Sequence, residues 1–256
     1  EDGIRDIAVT GVQTCALPIL IAGNCPGFIG NRMLRAYRRE AQLLLEEGAS
    51  VRQVDAALVE WGMAMGPFAV QDLAGIDIAM SSRHIFTRLD PPNARIPRVM
   101  EMLFESGRYG QKTGAGWYRY DEKRAAQPDA SVDELIERAA SDAGIVRRPI
   151  ADEEIIERCI YALINEGARI LGEGYALRAS DIDLVYLNGY GFPAYRGGPM
   201  HFADSTGVRN VYQRILELNA NQGADWEPAP LLARLAEADS SFKAWDDERS
   251  KLPAAS

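Results

Sequence analysis

The chain has 256 residues, of which 47% are hydrophobic and 25% are charged, and this composition excludes a disordered or collagen-like protein. Acidic residues outnumber basic ones by 37 to 28, and the resulting formal charge of −9 repels nucleic acids and anionic membranes. At this length we expect one large or two small globular domains, with no nucleic-acid partner and no membrane association.

The three cysteines, Cys15, Cys25 and Cys159, are too few and too scattered to form a disulfide framework. None belongs to a pair of CxxC motifs or lies near histidines at zinc-site spacing, so no metal site is predicted. Reduced thiols are typical of the cytosol, and the sequence therefore predicts a cytoplasmic protein.

The amino-terminal residues differ in character from the rest of the chain. The apolar run 14–22 is shorter than the about 20 residues that cross a bilayer, and its flank is acidic where a signal peptide would be basic. Residues 3–19 resemble translated sequencing-adapter sequence. We therefore expect 1–19 to be artefactual or disordered and the genuine sequence to begin near Leu20; the alternative is a genuine strand over 7–12.

The first predicted elements are a short apolar strand over 20–22 and a long helix over 28–47. Apolar residues recur at spacings of three and four along this helix, and Gly48 follows it as a stop. A second helix is predicted to begin after Ser50. Here Ser50 and Gln53 form a capping box, in which the hydroxyl satisfies a backbone N–H and the glutamine side chain reaches back.

Proline and glycine residues divide the next segment. Gly66 and Pro67 begin a third helix that runs through Ile76, and a fourth helix lies within 96–105. Glycines then punctuate residues 109–120, which end in an aromatic, strand-like run. We interpret this last segment as a closing loop at a domain edge.

A linker is predicted between the two halves of the chain. Residues 121–150 are charged and alanine-rich and carry one short amphipathic helix over 132–140. Beyond them, another long helix begins at Asp152 and ends at Gly172 or Gly174.

The second half of the chain repeats the first. Along the two long helices, residues of the same type recur 126 positions apart: Arg32 and Arg158, Glu40 and Glu166, Gly48 and Gly174. Slightly larger offsets then relate Asp55 to Asp183 and Asp72 to Asp204, because insertions fall in loops. We therefore expect an all-α fold of two duplicated helical units, 20–120 and 151–256, joined by the linker 121–150.

A glycine pattern and two histidines suggest chemistry, but each has a simpler interpretation. Residues 189–194 match the GxGxxG/A pattern of dinucleotide sites, but a helical pattern precedes them and Pro193 interrupts the turn, so no nucleotide site is predicted. The only histidines, His84 and His201, have no neighbouring partner that marks a catalytic dyad. Each is interpreted as a structural or surface residue.

Asn31 is the most informative polar residue. It lies in the otherwise apolar first turn of the predicted long helix, where a rigid backbone could aim its amide at a ligand. The alternative, which the residues alone leave equally open, is a buried asparagine that caps a neighbouring backbone.

Several motifs in order resemble the C-terminal helical region of 3-hydroxyacyl-CoA dehydrogenases. They are NCPGFIGNRML at 24–34, MGPF at 65–68, DLAGID at 72–77 and GQKTGAGWY at 110–118. The motifs NGYGFP at 188–193 and RGGP at 196–199 resemble the second copy of this region in multifunctional fatty-acid β-oxidation enzymes. The resemblance covers nearly everything after Leu20 and implies the helical fold shared with the C-terminal region of 6-phosphogluconate dehydrogenase.

The resemblance also implies an activity and its residues. Members of this family oxidise a 3-hydroxyacyl-CoA with NAD as the hydride acceptor. An N-terminal Rossmann domain binds the NAD, and a histidine oriented by a glutamate acts as the base. This chain matches neither that domain nor that histidine. The match implies that Asn31 is the catalytic asparagine, that Met65, Gly66 and Pro67 line the acyl pocket, and that the first helices supply a homodimer contact.

Two hypotheses follow from these motifs. The first is a truncated dehydrogenase that is inactive alone and needs a Rossmann domain, together with an enoyl-CoA hydratase region, as its partner. The second is a stand-alone, non-catalytic helical module that binds acyl-CoA or mediates assembly.

Overall fold

The computed structural model describes residues 20–86, 89 and 94–249, and in this part of the chain the fold is almost entirely helical. The helices are α1 (Gly30–Glu47), α2 (Val51–Trp61), α3 (Pro67–Ala74), α4 (Ile76–Phe86), α5 (Val99–Glu105), α6 (Ala130–Asp142), α7 (Asp152–Gly172), α8 (Ala179–Gly189), α9 (Pro199–Thr206), α10 (Val208–Gln222), α11 (Pro230–Glu237) and α12 (Phe242–Arg249). Two short antiparallel strands, β1 (Arg119–Tyr120) and β2 (Ala126–Gln127), form the sheet observed in this part. The predicted all-α class with two duplicated helical units is confirmed.

The observed elements differ from the predicted ones mainly at their ends. Helix α1 begins at Gly30 rather than at residue 28, because Phe28 has φ +50° and cannot belong to a right-handed helix. The third predicted helix breaks at Gly75, so α4 is a separate element. The predicted strand over 20–22 is reduced to an isolated bridge between Ala22 and Ala176. The predictions for residues 1–19 lie outside the described residues.

The predicted linker is part of the folded core rather than a simple connection. Helix α6 packs against α1 and α5, and it buries one apolar face: Val132, Ile136, Ala139 and Ala140.

Only one of the two hydrogen bonds of the predicted capping box is observed. The Ser50 hydroxyl accepts from the Gln53 N–H at 3.1 Å, but the Gln53 side chain donates to Ile150 and Asp152 instead of reaching back. Gln53 thus ties the first unit to the start of α7.

The two long helices, α1 and α7, make the most extensive contact of the fold, and reciprocal ion pairs join them. Arg32 on α1 donates to Glu166 at 2.5 Å, and Arg158 on α7 donates to Glu40 at 3.0 Å. Each arginine also has an outer glutamate partner at the end of the opposite helix. Arg32 donates to Glu173, and Arg158 donates to Glu47. The equivalent residues found in the sequence therefore pair across the units, as they would across a two-fold axis.

A second repeated feature is an aspartate that caps the helix after it. Asp55 accepts from the N–H groups of Phe68 and Ala69 at the start of α3, at 2.9 and 3.0 Å. Asp183 accepts from the N–H groups of Met200 and His201 at the start of α9. These bonds satisfy donors that the first turn of a helix leaves without intrahelical partners.

A second pair of aspartates fastens the end of each unit. Asp72 accepts from the N–H groups of Trp117 and Tyr118, at 2.9 and 3.0 Å. Trp117 is only 1% exposed, so residues 109–120 wrap into the core rather than close a domain edge. Asp204 accepts in the same way from Phe242 and Lys243, at the start of α12.

Candidate functional site

Asn31 lies on the first turn of α1 and is exposed, so the alternative of a buried backbone cap is not observed. Its Oδ1 accepts a hydrogen bond from the Tyr190 hydroxyl at 2.9 Å. With Oδ1 so engaged, the two N–H donors on Nδ2 point away from Tyr190, and the described residues supply no acceptor for them. The amide therefore presents donors rather than an acceptor to an incoming molecule.

Tyr190 is itself held firmly by neighbouring aromatic and backbone groups. Its ring stacks on Tyr186 with centroids 4.9 Å apart, and the Tyr186 hydroxyl donates to the Gly30 carbonyl at 3.2 Å. The approach depends on Gly30, because a β-carbon there would lie 2.3 Å from the Tyr190 hydroxyl oxygen. Burial raises the pKa of Tyr190, so its hydroxyl is protonated and available as a donor at neutral pH.

Arg38 lies two turns further along α1, near the same tyrosines. Burial lowers its pKa, and the nearby Tyr186 and Tyr190 oxygens partly offset this effect. Its Nε is buried without a hydrogen-bond partner, and none of the described residues forms an ion pair with its guanidinium. The surroundings of Asn31 thus include a positive charge that no described carboxylate neutralises.

Met65 and Gly66 lie between α2 and α3, and Pro67 begins α3. Met65 is 38% exposed, whereas Gly66 and Pro67 are buried. A β-carbon at Gly66 would lie 2.2 Å from the Asp55 carboxyl carbon, and Pro67 occupies the first position of α3. Gly66 and Pro67 therefore allow Asp55 to cap this helix, and Met65 is the side chain of the three that faces solvent.

The loop formed by residues 189–196 brings these predicted residues together; we call it the bridging loop. Tyr190 in this loop contacts Asn31, and the carbonyl of the next residue, Gly191, accepts from the Ala64 N–H at 3.0 Å. Consecutive residues of one loop thus hold both the Asn31 turn and the segment that leads into Met65. A loop of the second unit organises the candidate site of the first.

Further contacts fix the far end of the bridging loop against α2. The hydroxyl of Tyr195 donates to the Trp61 carbonyl at 2.9 Å, and the Arg196 guanidinium lies 4.2 Å from the centroid of the Trp61 ring. The loop begins at the end of helix α8 and finishes in a single 3-10 turn, Ala194–Arg196. This setting differs from the strand–loop–helix unit of a dinucleotide fingerprint.

The remaining residues considered from the sequence lie outside this site. The His201 side chain is exposed and only its backbone N–H contacts Asp183, while His84 is exposed near the end of α4. Within the described residues, no cluster of histidine, cysteine or acidic side chains could hold a metal ion. Nor does any helix of that part combine the length and apolarity needed to span a membrane.

Sequence reasoning missed two participants, Tyr190 and Arg38. Tyr190 stands at a variable position of the glycine pattern and within the motif NGYGFP, and neither pattern gives it a role. For Arg38 a local signal exists, since it lies seven residues after Asn31 and helix periodicity places both on one face.

Comparison with known proteins identifies the family. The model of the 3-hydroxyacyl-CoA dehydrogenase C-terminal domain matches this chain twice, at residues 27–120 and 155–245. The peroxisomal bifunctional enzyme of Danio rerio is 46% identical over 229 residues, which cover 83% of this chain and 32% of that protein. Its human counterpart is 42% identical over 243 residues, covering 88% of this chain and 34% of that protein.

Solved structures agree with this assignment. The dehydrogenase part of multifunctional enzyme 1 from C. elegans is 28% identical, with a TM-score of 0.69 over 89% of this chain and 52% of that one. The 3-hydroxybutyryl-CoA dehydrogenase of Escherichia coli is 21% identical with a TM-score of 0.67, over 86% of this chain and 61% of that one, and shows the fold alone. The chain spans about a third of the length of the curated relatives it matches.

The cytoplasmic prediction is wrong. The relatives are named as peroxisomal enzymes or, in Brassica napus, as a glyoxysomal fatty acid β-oxidation protein that is 33% identical over 254 residues. Cys25 and Cys159 are free and buried, but their unpaired thiols indicate only that these two described cysteines form no disulfide. They do not distinguish the cytosol from another compartment.

Two family matches, one in each helical unit, together cover well over half of the sequence and include the Asn31 turn, the Met65 segment and the bridging loop. The chain therefore belongs to the 3-hydroxyacyl-CoA dehydrogenase C-terminal domain family.

Proposed function

We propose that this chain is the helical, substrate-side part of an NAD-dependent 3-hydroxyacyl-CoA dehydrogenase of peroxisomal fatty-acid β-oxidation. The single observation that carries the proposal is the Asn31 amide, whose Oδ1 is held by Tyr190 while its donors remain available on an exposed turn. The family match adds the reaction class, oxidation of a 3-hydroxyacyl-CoA to the 3-ketoacyl-CoA.

Asn31 has the properties required of a residue that orients a reacting oxygen. Its amide is neutral, so it can donate to the C3 oxygen of the substrate without competing for the proton that leaves that oxygen. Because it projects from the first turn of a packed helix, little reorganisation is needed when charge develops on the oxygen. The proposed role is to fix the C3 oxygen and the catalytic histidine of the partner domain.

For the acyl pocket, we propose a larger direct role for Met65 than for Gly66 and Pro67. The second unit has the same glycine and proline, Gly198 and Pro199, at the start of α9, where Asp183 caps the helix. Because this glycine–proline pair begins a helix in both units, helix initiation is enough to explain it. Met65 is the exposed and flexible member of the three, and a thioether adapts readily to acyl chains.

The described residues do not fit NAD. Their sheet is a single antiparallel pair of two-residue strands, whereas a dinucleotide fingerprint requires a parallel strand–loop–helix unit. We therefore assign NAD to a Rossmann domain that acts as partner, joined in a multifunctional enzyme to a hydratase region. Calorimetric titration of the 256-residue chain is expected to show no micromolar NAD binding, and such binding would contradict this assignment.

A homodimer contact through the first helices, as the resemblance implies, stays a prediction. Helix α1 packs here against α7 of the same chain, and this contact covers the surface that carries Arg32 and Glu40. Sedimentation equilibrium of the chain measures whether another surface supports a dimer.

The kinetic test uses a chimera in which residues 27–249 replace the matched region of the Danio rerio relative. NADH formation from a 3-hydroxyacyl-CoA reports activity. Asn31→Ala is expected to lower kcat by about 10²- to 10³-fold, as loss of an oxyanion-type donor does, without lowering the unfolding midpoint. The control is Glu157→Ala, the equivalent position of α7, where the carboxylate pairs with Arg214 and kcat should stay within about twofold.

Two outcomes would contradict the proposal. An unsubstituted chimera that folds but forms no NADH would favour the stand-alone, non-catalytic acyl-CoA-binding or assembly module. Near-normal kcat in Asn31→Ala, combined with a clearly lower unfolding midpoint, would show that Asn31 is a structural residue.

A further inference from the structure

The motif that contains Tyr190 has no assigned role in the reaction, although it belongs to the second unit and reaches the candidate site of the first. The Tyr190 hydroxyl donates to Asn31 Oδ1 at 2.9 Å, so a side chain of the second unit contacts the amide of the first. We infer that Tyr190 is a positioning residue that orients the Asn31 amide for catalysis, an inference that rests on the proposed function of Asn31.

The orientation of an asparagine amide matters because its two ends have opposite hydrogen-bonding properties. Turned one way, Asn31 presents N–H donors, which stabilise negative charge on a reacting oxygen; turned the other way, it presents a carbonyl oxygen, which repels that charge. The Tyr190 hydroxyl donates to Oδ1 and so stabilises the first orientation. A hydrogen bond to the carbonyl also polarises the amide and strengthens its N–H donors.

The structure around Tyr190 leaves its hydroxyl little freedom. The ring is half-buried and stacks on Tyr186 at an interplanar angle of 23°. Tyr186 is itself fixed by its hydrogen bond to the Gly30 carbonyl, one residue before Asn31. Two tyrosines of the second unit therefore hold one turn of α1, and the absence of a side chain at Gly30 permits the contact.

This arrangement gives the second unit a part in the reaction. At the position equivalent to Asn31, α7 has Glu157, so the second unit cannot contribute a matching amide of its own. It contributes Tyr190 instead. The second unit thus completes the site of the first, in addition to stabilising it.

The test is a double-substitution cycle in the same chimera, with Asn31→Ala, Tyr190→Phe and both together. Tyr190→Phe removes only the hydroxyl and keeps the ring stack, and we expect kcat to fall by about 3- to 10-fold, the effect of one hydrogen bond, with little change in KM. In the Asn31→Ala background the same change should alter kcat by less than about twofold, because the group it positions is gone.

Tyr195→Phe is the matched control. Tyr195 lies in the same loop, and its hydroxyl also donates to a group of the first unit, the Trp61 carbonyl, but it does not contact Asn31. Removing it should leave kcat within about twofold in both backgrounds.

A direct reading of the amide does not depend on activity. In the full 256-residue chain, the side-chain amide signals of Asn31 can be assigned by their loss in Asn31→Ala, using asparagine labelled with ¹⁵N. Tyr190→Phe should shift or broaden these signals, whereas Tyr195→Phe should leave them in place.

The outcomes separate this inference from the proposed function. If Asn31→Ala lowers kcat but Tyr190→Phe does not, or lowers it equally in both backgrounds, the positioning role is wrong and the function of Asn31 stands. Unchanged Asn31 signals in Tyr190→Phe would also overturn it. If Asn31→Ala itself leaves kcat unchanged, the proposed function fails.

Discussion

The two helical units share a framework but differ at the candidate site. Both begin with a long helix, and both use paired aspartates to hold the following elements, Asp55 and Asp72 in the first unit and Asp183 and Asp204 in the second. At the start of the long helix the similarity ends. The framework and the site can therefore be separated by comparing one unit with the other.

Three positions on the long helices show this difference. The first unit has Gly30, Asn31 and Arg38, and the equivalent residues of the second are Ile156, Glu157 and Ile164. The isoleucines cannot provide a close backbone approach or a charge, and Glu157 pairs with Arg214. A residue kept in both units is explained by folding, whereas one that differs near Asn31 is a candidate for function.

The reciprocal ion pairs of the two units differ in how far they are exposed to solvent. Arg158 is fully buried, and its outer partner Glu47 is 15% exposed. Arg32 is 3% exposed, but its outer partner Glu173 is 42% exposed. Burial lowers the pKa of each arginine, yet the glutamates outweigh this and raise both. The pairs are equivalent in geometry and unequal in their access to water.

The largest expected effect follows from this inequality. Arg158→Met should lower the free energy of unfolding by about 3–5 kcal/mol, because it leaves the Glu40 carboxylate, which is 2% exposed, without its ion-pair partner. Arg32→Met should cost clearly less, since water can solvate Glu173. Urea unfolding of the two variants measures both values, and equal losses would show that the two sites are energetically symmetric.

The glycines that end the long helices form a second matched pair. Gly48 has φ +138°, and a β-carbon there would lie 1.9 Å from the Arg148 carbonyl oxygen, whereas Gly174 has φ +78° and open space around it. Gly174→Ala should therefore cost only about 1–2 kcal/mol, the penalty of the left-handed conformation. Gly48→Ala adds a backbone clash worth about 1–3 kcal/mol more.

Thermal and urea unfolding of these two alanine variants check the difference. Similar losses in both would mean that the segment around Arg148 moves away from α1 easily. The linker would then be a loose connection, as its composition suggests, rather than part of the packed core.

Much of the framework could be predicted from the sequence, because its signals are local. Pro67 and Gly48 mark helix ends by their backbone chemistry, and the repeat of Arg32 and Glu40 at one offset indicates duplication. The contact of Tyr190 with Asn31 spans 159 residues and depends on how the units pack, which no local pattern encodes. The catalytic role of Asn31 came from family resemblance and stays a prediction.

The capping aspartates provide the smallest expected difference between the two units, because both carboxyls are buried and both cap a helix in the same way. Burial raises the pKa of Asp183 to about 7 and that of Asp55 to about 6, against the N–H bonds that favour the ionised form. The ordinary value of both is 3.8. A carboxyl with a raised pKa binds its proton more tightly in the folded state than in the unfolded state. Its contribution to stability is therefore present in full below about pH 4 and is lost as the pH rises through the folded-state pKa.

The free energy of unfolding that each aspartate contributes should therefore fall with rising pH, over a different pH range in each unit. Relative to Asp183→Asn, the free energy of unfolding of the wild type should fall by a few kcal/mol, at about 1.4 kcal/mol for each unit of pKa, as the pH rises from about 4 to about 7. Relative to Asp55→Asn, the fall should end near pH 6. Comparing each variant with the wild type at the same pH cancels the titration of all other groups. The cost of losing one acceptor oxygen remains in this difference, but it does not change with pH. A difference that instead grows with pH would mean that the backbone N–H groups outweigh burial, so that both helices are capped by an ionised carboxylate across this range.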